Sequence, residues 1–169
     1  MRRAIPHYSQ YLDVRESPWR RRACGVVALV TVMDAYQHAP ARTAPARIHS
    51  LIRAGVRMGA YDPRHGWRHA GLVRLARMRG FHTQRFDWND KSPLQAIRLL
   101  REKLVTGPVI VSIHRNLSPE MPGHLVVITN MTTRIVRYHD PDSRTRANVS
   151  RYASLARFRN GWKQRGIVV

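Results

Sequence analysis

One cysteine stands in the whole chain, at position 24, so no intrachain disulfide can form and a reducing compartment is permitted. Acidic residues are few, 10 against 30 basic ones, giving a formal charge of +20. Lysine is scarcer still: Lys91, Lys103 and Lys163 are the only ones, and the other basic residues are arginine. Such an excess sets up a field that attracts polyanions and acidic peptides. The arginines are spread along the chain, with Arg20-Arg21-Arg22 the one tight run. No zinc-finger spacing, basic zipper or RNA-binding aromatic motif accompanies them. Nucleic acid is therefore expected only as a non-specific partner at low salt. Long apolar runs are missing too. The start, MRRAIPHYSQ, has no apolar run behind its two arginines, which argues against a secretory signal. The longest apolar stretch, Val26 to Met33, is broken by Thr31 and is too short to span a bilayer. A soluble, cytoplasmic protein is the expectation. Repeats and low-complexity linkers are also absent, and a hydrophobic fraction of 43% argues against disorder. Residues 1–169 are expected to form one domain.

What is present begins with the surroundings of the lone thiol. Cys24 is followed by Gly25 and then by roughly three turns of nearly unbroken apolar residues in RRRACGVVALVTVMDAY. The pattern predicts a buried helix over about 23–37, with the sulfur at its N-terminus. There the helix dipole and free backbone N–H groups favour thiolate over thiol, and the thiolate is the nucleophile of cysteine hydrolases. The alternative for a lone cysteine is an inert buried residue.

The rest of the pattern is helices first and strands afterwards, an α+β order. Residues 4–19 read as irregular, with Pro6 and Pro18 as punctuation. A loop covers 38–47, and a short helix is expected over about 45–53. In GWRHAGLVRLARMRGF a helix carries Leu72, Leu75, Ala76 and Met78 on one stripe, with Gly80 as its C-cap. A short strand is expected within 81–88. A helix follows over 93–104, with Ser92 as N-cap and Pro93 at its first position. Strands rich in Val and Ile are expected at 108–115, 124–131 and 134–141. A last helix over about 150–160 and a strand from Gly166 complete the reading.

A thiol nucleophile needs a base, a group that orients the base, and donors for the oxyanion. Of the 9 histidines, His124 is the candidate base: it opens the strand LVVITN after Pro122-Gly123, where nothing apolar requires it. Asp140, at the end of the next strand, is the candidate orienter. In an antiparallel hairpin His124 opposes Asp140 if the turn centres on Thr132. A slip of one residue sets His124 against His139 and turns Asp140 to the other face. The local sequence leaves both registers open. Gln10, in the patch IPHYSQY, is the candidate oxyanion donor together with the Cys24 backbone N–H. His65 and His69, four apart, form a weak metal-ligand pair that no carboxylate or cysteine completes. The remaining histidines read as surface or packing residues. No metal or organic cofactor is called for.

IPHYSQY, RRACGVVALVTVMDAY, GHLVVITN and YHDP, in that order and spacing, resemble the papain-like cysteine peptidases of the bacteriocin-processing type, which cleave leader peptides after a double glycine. The likeness is nearer to stand-alone forms that carry no transporter. It extends over GWRHAGLVRLARMRGF, GPVIVSIH and FRNGWKQRGIVV. The resemblance implies a papain-like α+β fold, with the nucleophile at the N-terminus of a central helix packed on an antiparallel sheet. It assigns Cys24 as nucleophile, His124 as general base and acid, Asp140 as orienter and Gln10 as oxyanion donor. The implied activity is hydrolysis of peptide or amide bonds through an acyl-thioester, on peptide or protein substrates that the basic charge biases towards acidic ones. The same site could serve an acyltransferase or transpeptidase. The rival of a different kind is a non-catalytic basic module that binds acidic partners.

Overall fold

The computed structural model of the protein describes residues 4–169; Met1, Arg2 and Arg3 of the start segment lie outside them. A six-stranded antiparallel sheet divides the described residues, with helices on both faces. Its strand order is β3-β8-β4-β5-β6-β7. The strands are β3 (Gln84–Asp87), β4 (Val109–His114), β5 (Gly123–Met131), β6 (Ile135–His139), β7 (Ser150–Ser154) and β8 (Trp162–Val168). A two-stranded hairpin, β1 (Tyr61–Asp62) and β2 (Gly66–Trp67), stands apart from it.

Strand alternation explains the two cores. Ile110, Leu125, Val127 and Ile167 face α1 (Cys24–Gln37), α2 (Ala44–Arg57) and α3 (His69–Arg77). Val109, Val111, Ile113, Val126 and Ile128 face α4 (Pro93–Thr106) and α5 (Leu155–Gly161). The fold is α+β with the lone cysteine at the N-terminus of the central helix, as expected. Every residue of α1 from Gly25 to Ala35 is buried, which is why its apolar residues run round the whole circumference. Its single carboxylate, Asp34, is buried against the Arg47 guanidinium of α2.

Local signals set most boundaries. Ser92 accepts from the Gln95 N–H while the Gln95 side chain accepts from the Ser92 N–H, a reciprocal cap that starts α4. Gly80 takes φ +84°, and the Phe81 N–H reaches back to the Ala76 carbonyl, so the chain leaves α3 through a left-handed turn.

Three expectations need correction. Helix α3 begins only at His69, because Gly66 and Trp67 pair with Tyr61 and Asp62. It ends at Arg77 with Met78, not Gly80, as its C-cap, so Met78 lies past the helix and is 65% exposed, outside the apolar stripe. Residues 150–154 form a strand, not the first turns of a helix: they complete the sheet edge beside β6. Finally, β8 begins at Trp162, four residues before the expected start.

Candidate active site

The site grows from the N-terminus of α1. Ala23 caps that helix without a side-chain hydrogen bond, so its first N–H groups remain available. Cys24 opens the helix and Gly25 follows because space runs out there. A Cβ on Gly25 would lie 2.7 Å from Trp67 Cβ and 3.0 Å from Leu125 Cδ1. Trp67 is itself pinned by its indole N–H, which donates to the Arg22 carbonyl at 2.7 Å. The helix end is thus wedged between the β1–β2 hairpin and β5, with the thiol half-buried at the base of a cleft.

His124, the second residue of β5, is 3% exposed. Its Nε2 donates to Asp140 Oδ1 at 2.7 Å; Nδ1 is buried without a hydrogen-bond partner among the described residues and is the nitrogen left to serve the sulfur. Asp140 follows β6 directly and is 4% exposed. Its Oδ1 also accepts the Asp142 N–H at 2.9 Å, and its Oδ2 pairs with Arg151 of β7 at 2.9 Å. Burial pushes the Asp140 carboxyl up, but His124, Arg151 and the Asp142 N–H outweigh it and hold it below the usual carboxylate range.

The thiol and the imidazole shift in opposite directions. Burial alone raises the Cys24 thiol; interaction with His124 and the backbone N–H groups of Leu125 and Gly25 bring it below its ordinary value. Burial alone lowers the His124 imidazole; Asp140 and Cys24 override this and raise it to about 10. A thiolate–imidazolium pair is the state these directions describe.

Neither expected register is the one observed. Near the turn, Met131 faces Val136 and Asn130 faces Arg137. Continued unbroken, that pairing would set Asp140 level with Val127, on the face away from His124. A bulge between Ile128 and Asn130 inserts one residue, after which Ile128 faces Tyr138 and Val127 faces His139. Asp140 then falls level with Val126, two residues from His124 on the same face.

Gln10 is buried, but it is not among the residues that line the cleft. Its Nε2 donates to Asp142 Oδ1 at 2.7 Å, and its backbone N–H donates to the Pro141 carbonyl. It belongs to a strap that lies along the loop after β6. The strap is fastened by Arg146, which holds Asp13 through two hydrogen bonds of 2.6 and 3.0 Å. His65 and His69 do not share a helical face. His65 lies in the turn before β2, beside Asp62, whereas His69 opens α3 and bonds Ser112 Oγ at 2.7 Å. Among the described residues no group of three potential ligands is placed to hold a metal, and no helix is long and apolar enough to cross a membrane.

Sequence reasoning missed Arg151, Ser112 and the cationic wall of the cleft. That cleft has a volume of about 370 Å³, and Lys163 and Arg165 line it together with His69, Ser112 and His124. Ser112, His124, Lys163 and Arg165 come from β4, β5 and β8, which only sheet pairing sets side by side.

No protein-family model and no curated protein matches the sequence. Solved structures do match. A double glycine motif protease from an AMS/PCAT transporter, in complex with the leader peptide, is 17% identical, covers 99% of this chain and 91% of its own, and superposes with a TM-score of 0.61. The peptidase domain of Streptococcus ComA, a bi-functional ABC transporter, is 19% identical over 87% of this chain and 90% of its own, with a TM-score of 0.58. A Bacillus anthracis protein described as a C39-like peptidase is 14% identical over 96% of this chain and 92% of its own, with a TM-score of 0.68. The chain has the papain-like C39 peptidase fold. At these identities the likeness is one of fold. In this chain α1 is the central helix, β5 carries His124, and Asp140 follows directly on β6.

Proposed function

We propose that the protein is a cysteine peptidase, with Cys24 as nucleophile, His124 as general base and acid, and Asp140 as the group that orients the imidazole. The observation that carries this reading is the 2.7 Å hydrogen bond from His124 to Asp140, on the ring that also lowers the Cys24 thiol pKa. An inert core cysteine would have no reason to sit beside an oriented, buried imidazole. The chain acts as one peptidase unit on peptide or protein substrates.

In this reaction the Cys24 thiolate attacks the carbonyl carbon, and the carbonyl electron pair moves onto oxygen. The Cys24 backbone N–H at the uncapped end of α1 stabilises that oxyanion. Gln10 becomes a second donor only when its side chain turns from Asp142 into the cleft, which it does not line here. His124 imidazolium protonates the departing amine as the C–N bond breaks, leaving an acyl-thioester. Neutral His124 then takes a proton from water, whose hydroxide attacks the thioester. The acid leaves and the thiolate returns.

The test is a peptide-library digest with wild type and Cys24→Ala, read by mass spectrometry. New termini that appear only with wild type, with the acyl half recovered as free acid, support the reading. Cleavage that persists in Cys24→Ala contradicts it. Recovery of the acyl half joined to an added amine identifies an acyltransferase instead.

A further inference from the structure

The cleft beside Cys24 holds more positive charge than its one carboxylate, Asp87, can neutralise. Arg85 of β3 and Lys163 and Arg165 of β8 line it. None of these three side chains has a hydrogen bond or ion pair among the described residues, and Arg165 Nε is buried without a partner. Lys163 Nζ lies 3.3 Å from where Gly123 would carry a Cβ, beside the residue that precedes His124. The neighbouring polar groups already have partners. Arg68 is held by Asp62 at 2.6 Å. Asp87, the one acid of the cleft, faces Arg165 across the β3–β8 ladder, yet its Oδ1 accepts from the backbone and side chain of Asn89, at 3.2 and 2.6 Å. His69 bonds Ser112.

Lys163 and Arg165 are half-buried like charges that repel one another, with Arg85 exposed at the rim, and burial together with Arg165 pushes the Lys163 ammonium pKa down. An anion placed among them relieves that repulsion and gains charge-assisted hydrogen bonds. Guanidinium groups and an ammonium with free donors suit a carboxylate.

We propose that Arg85, Lys163 and Arg165 form a carboxylate-binding subsite, so that the peptide cut at Cys24 carries an acidic group close to the scissile bond. This rests on the peptidase reading and adds the substrate class. The carboxylate comes either from an Asp or Glu side chain or from the C-terminus of the substrate.

The experiment separates binding from turnover. Fluorescein-labelled Gly–Ala decapeptides with one central Glu or Gln, each as free acid or amide, are titrated into Cys24→Ala and followed by anisotropy. The Glu amide or the Gln free acid should bind at least about tenfold more tightly than the Gln amide. That advantage should shrink as salt rises from about 20 to 200 mM and vanish in Cys24→Ala carrying Lys163→Gln and Arg165→Gln. An advantage confined to Glu identifies a side-chain carboxylate, and one confined to the free acid identifies the substrate's C-terminus. Equal binding of all four peptides, no binding by any, or a preference that survives the Gln substitutions overturns the subsite. Wild type that cleaves nothing in the library while the binding preference holds overturns the peptidase reading and leaves the subsite standing.

Discussion

His124 and Asp140 meet at 2.7 Å because one extra residue interrupts the β5–β6 ladder between Ile128 and Asn130. The bulge changes the parity of the pairing after the turn has been made. It moves Asp140 from the wrong face to the face that His124 occupies. Deleting Thr129, the bulged residue, should therefore separate the two side chains, whereas a point substitution there should not. In proposed catalytic terms, Thr129→Ala should retain activity and the deletion should lose it.

The roles assigned to the pair have different costs. Replacing His124 by Ala removes the proton carrier, and turnover should fall to the level of Cys24→Ala. Replacing Asp140 by Ala leaves the imidazole in place but poorly oriented, and the loss in kcat should be smaller by roughly one to two orders of magnitude. Single-turnover rates on variants checked for folding by circular dichroism measure the difference. Equal losses would contradict the assignment.

The pH profile follows from the opposed shifts of Cys24 and His124. His124 is raised from 6.5 to about 10, so its charged form adds stability in full below pH 6.5 and loses it as pH rises through about 10. Cys24 is lowered from 9.0, so its thiolate adds stability above pH 9 and loses it as pH falls through the depressed value. The ion pair occupies the window between. The profile of kcat/KM should show an acid limb well below the free-thiol range and an alkaline limb near 10. Iodoacetamide should label Cys24 on the same acid limb. Labelling that begins only near pH 9 would contradict the pair.

Arg151 acts through Asp140. It lies on β7 and holds Asp140 Oδ2 at 2.9 Å. Arg151→Gln removes that charge from a buried carboxylate. We expect kcat to fall roughly tenfold with KM unchanged, and the acid limb to move up in pH as Asp140 ionises less readily. Arg151→Lys should restore part of the loss. A change in thermal stability alone, with an unmoved pH profile, would make Arg151 merely structural.

Gly25 is a packing requirement of the site. An added Cβ meets Trp67 and Leu125. Gly25→Ala should lower stability by about 1–3 kcal/mol, readable in thermal unfolding, and should displace the thiol enough to depress labelling at neutral pH.

Much of this arrangement was legible in the sequence. The apolar run after Cys24-Gly25 indicated the buried central helix, and Ser92-Pro93 marked the start of α4. The Val- and Ile-rich stretches gave β4, β5 and β6. Strand β7 was not legible, because of its five residues only Ala153 is buried, and a polar edge strand lacks the alternation that identifies one. With β7 hidden, so was Arg151. The bulge was hidden for a related reason: Thr129 differs in no local way from its neighbours, and only the packed faces of both strands demand the extra residue. Gln10 was picked out as an oxyanion donor, but its place outside the cleft lining and its bond to Asp142 depend on the strap and the loop after β6 meeting across more than a hundred positions.

The central claim is that Cys24 carries the acyl group. Wild type mixed with a peptide p-nitrophenyl ester, quenched in acid within milliseconds and read by intact mass and peptide mapping, tests it most directly. The account predicts an adduct of one acyl unit on the peptide containing Cys24, which decays as free acid appears. It also predicts that the adduct accumulates in His124→Ala only slowly. Turnover without an adduct, or an adduct on any other residue, would contradict it.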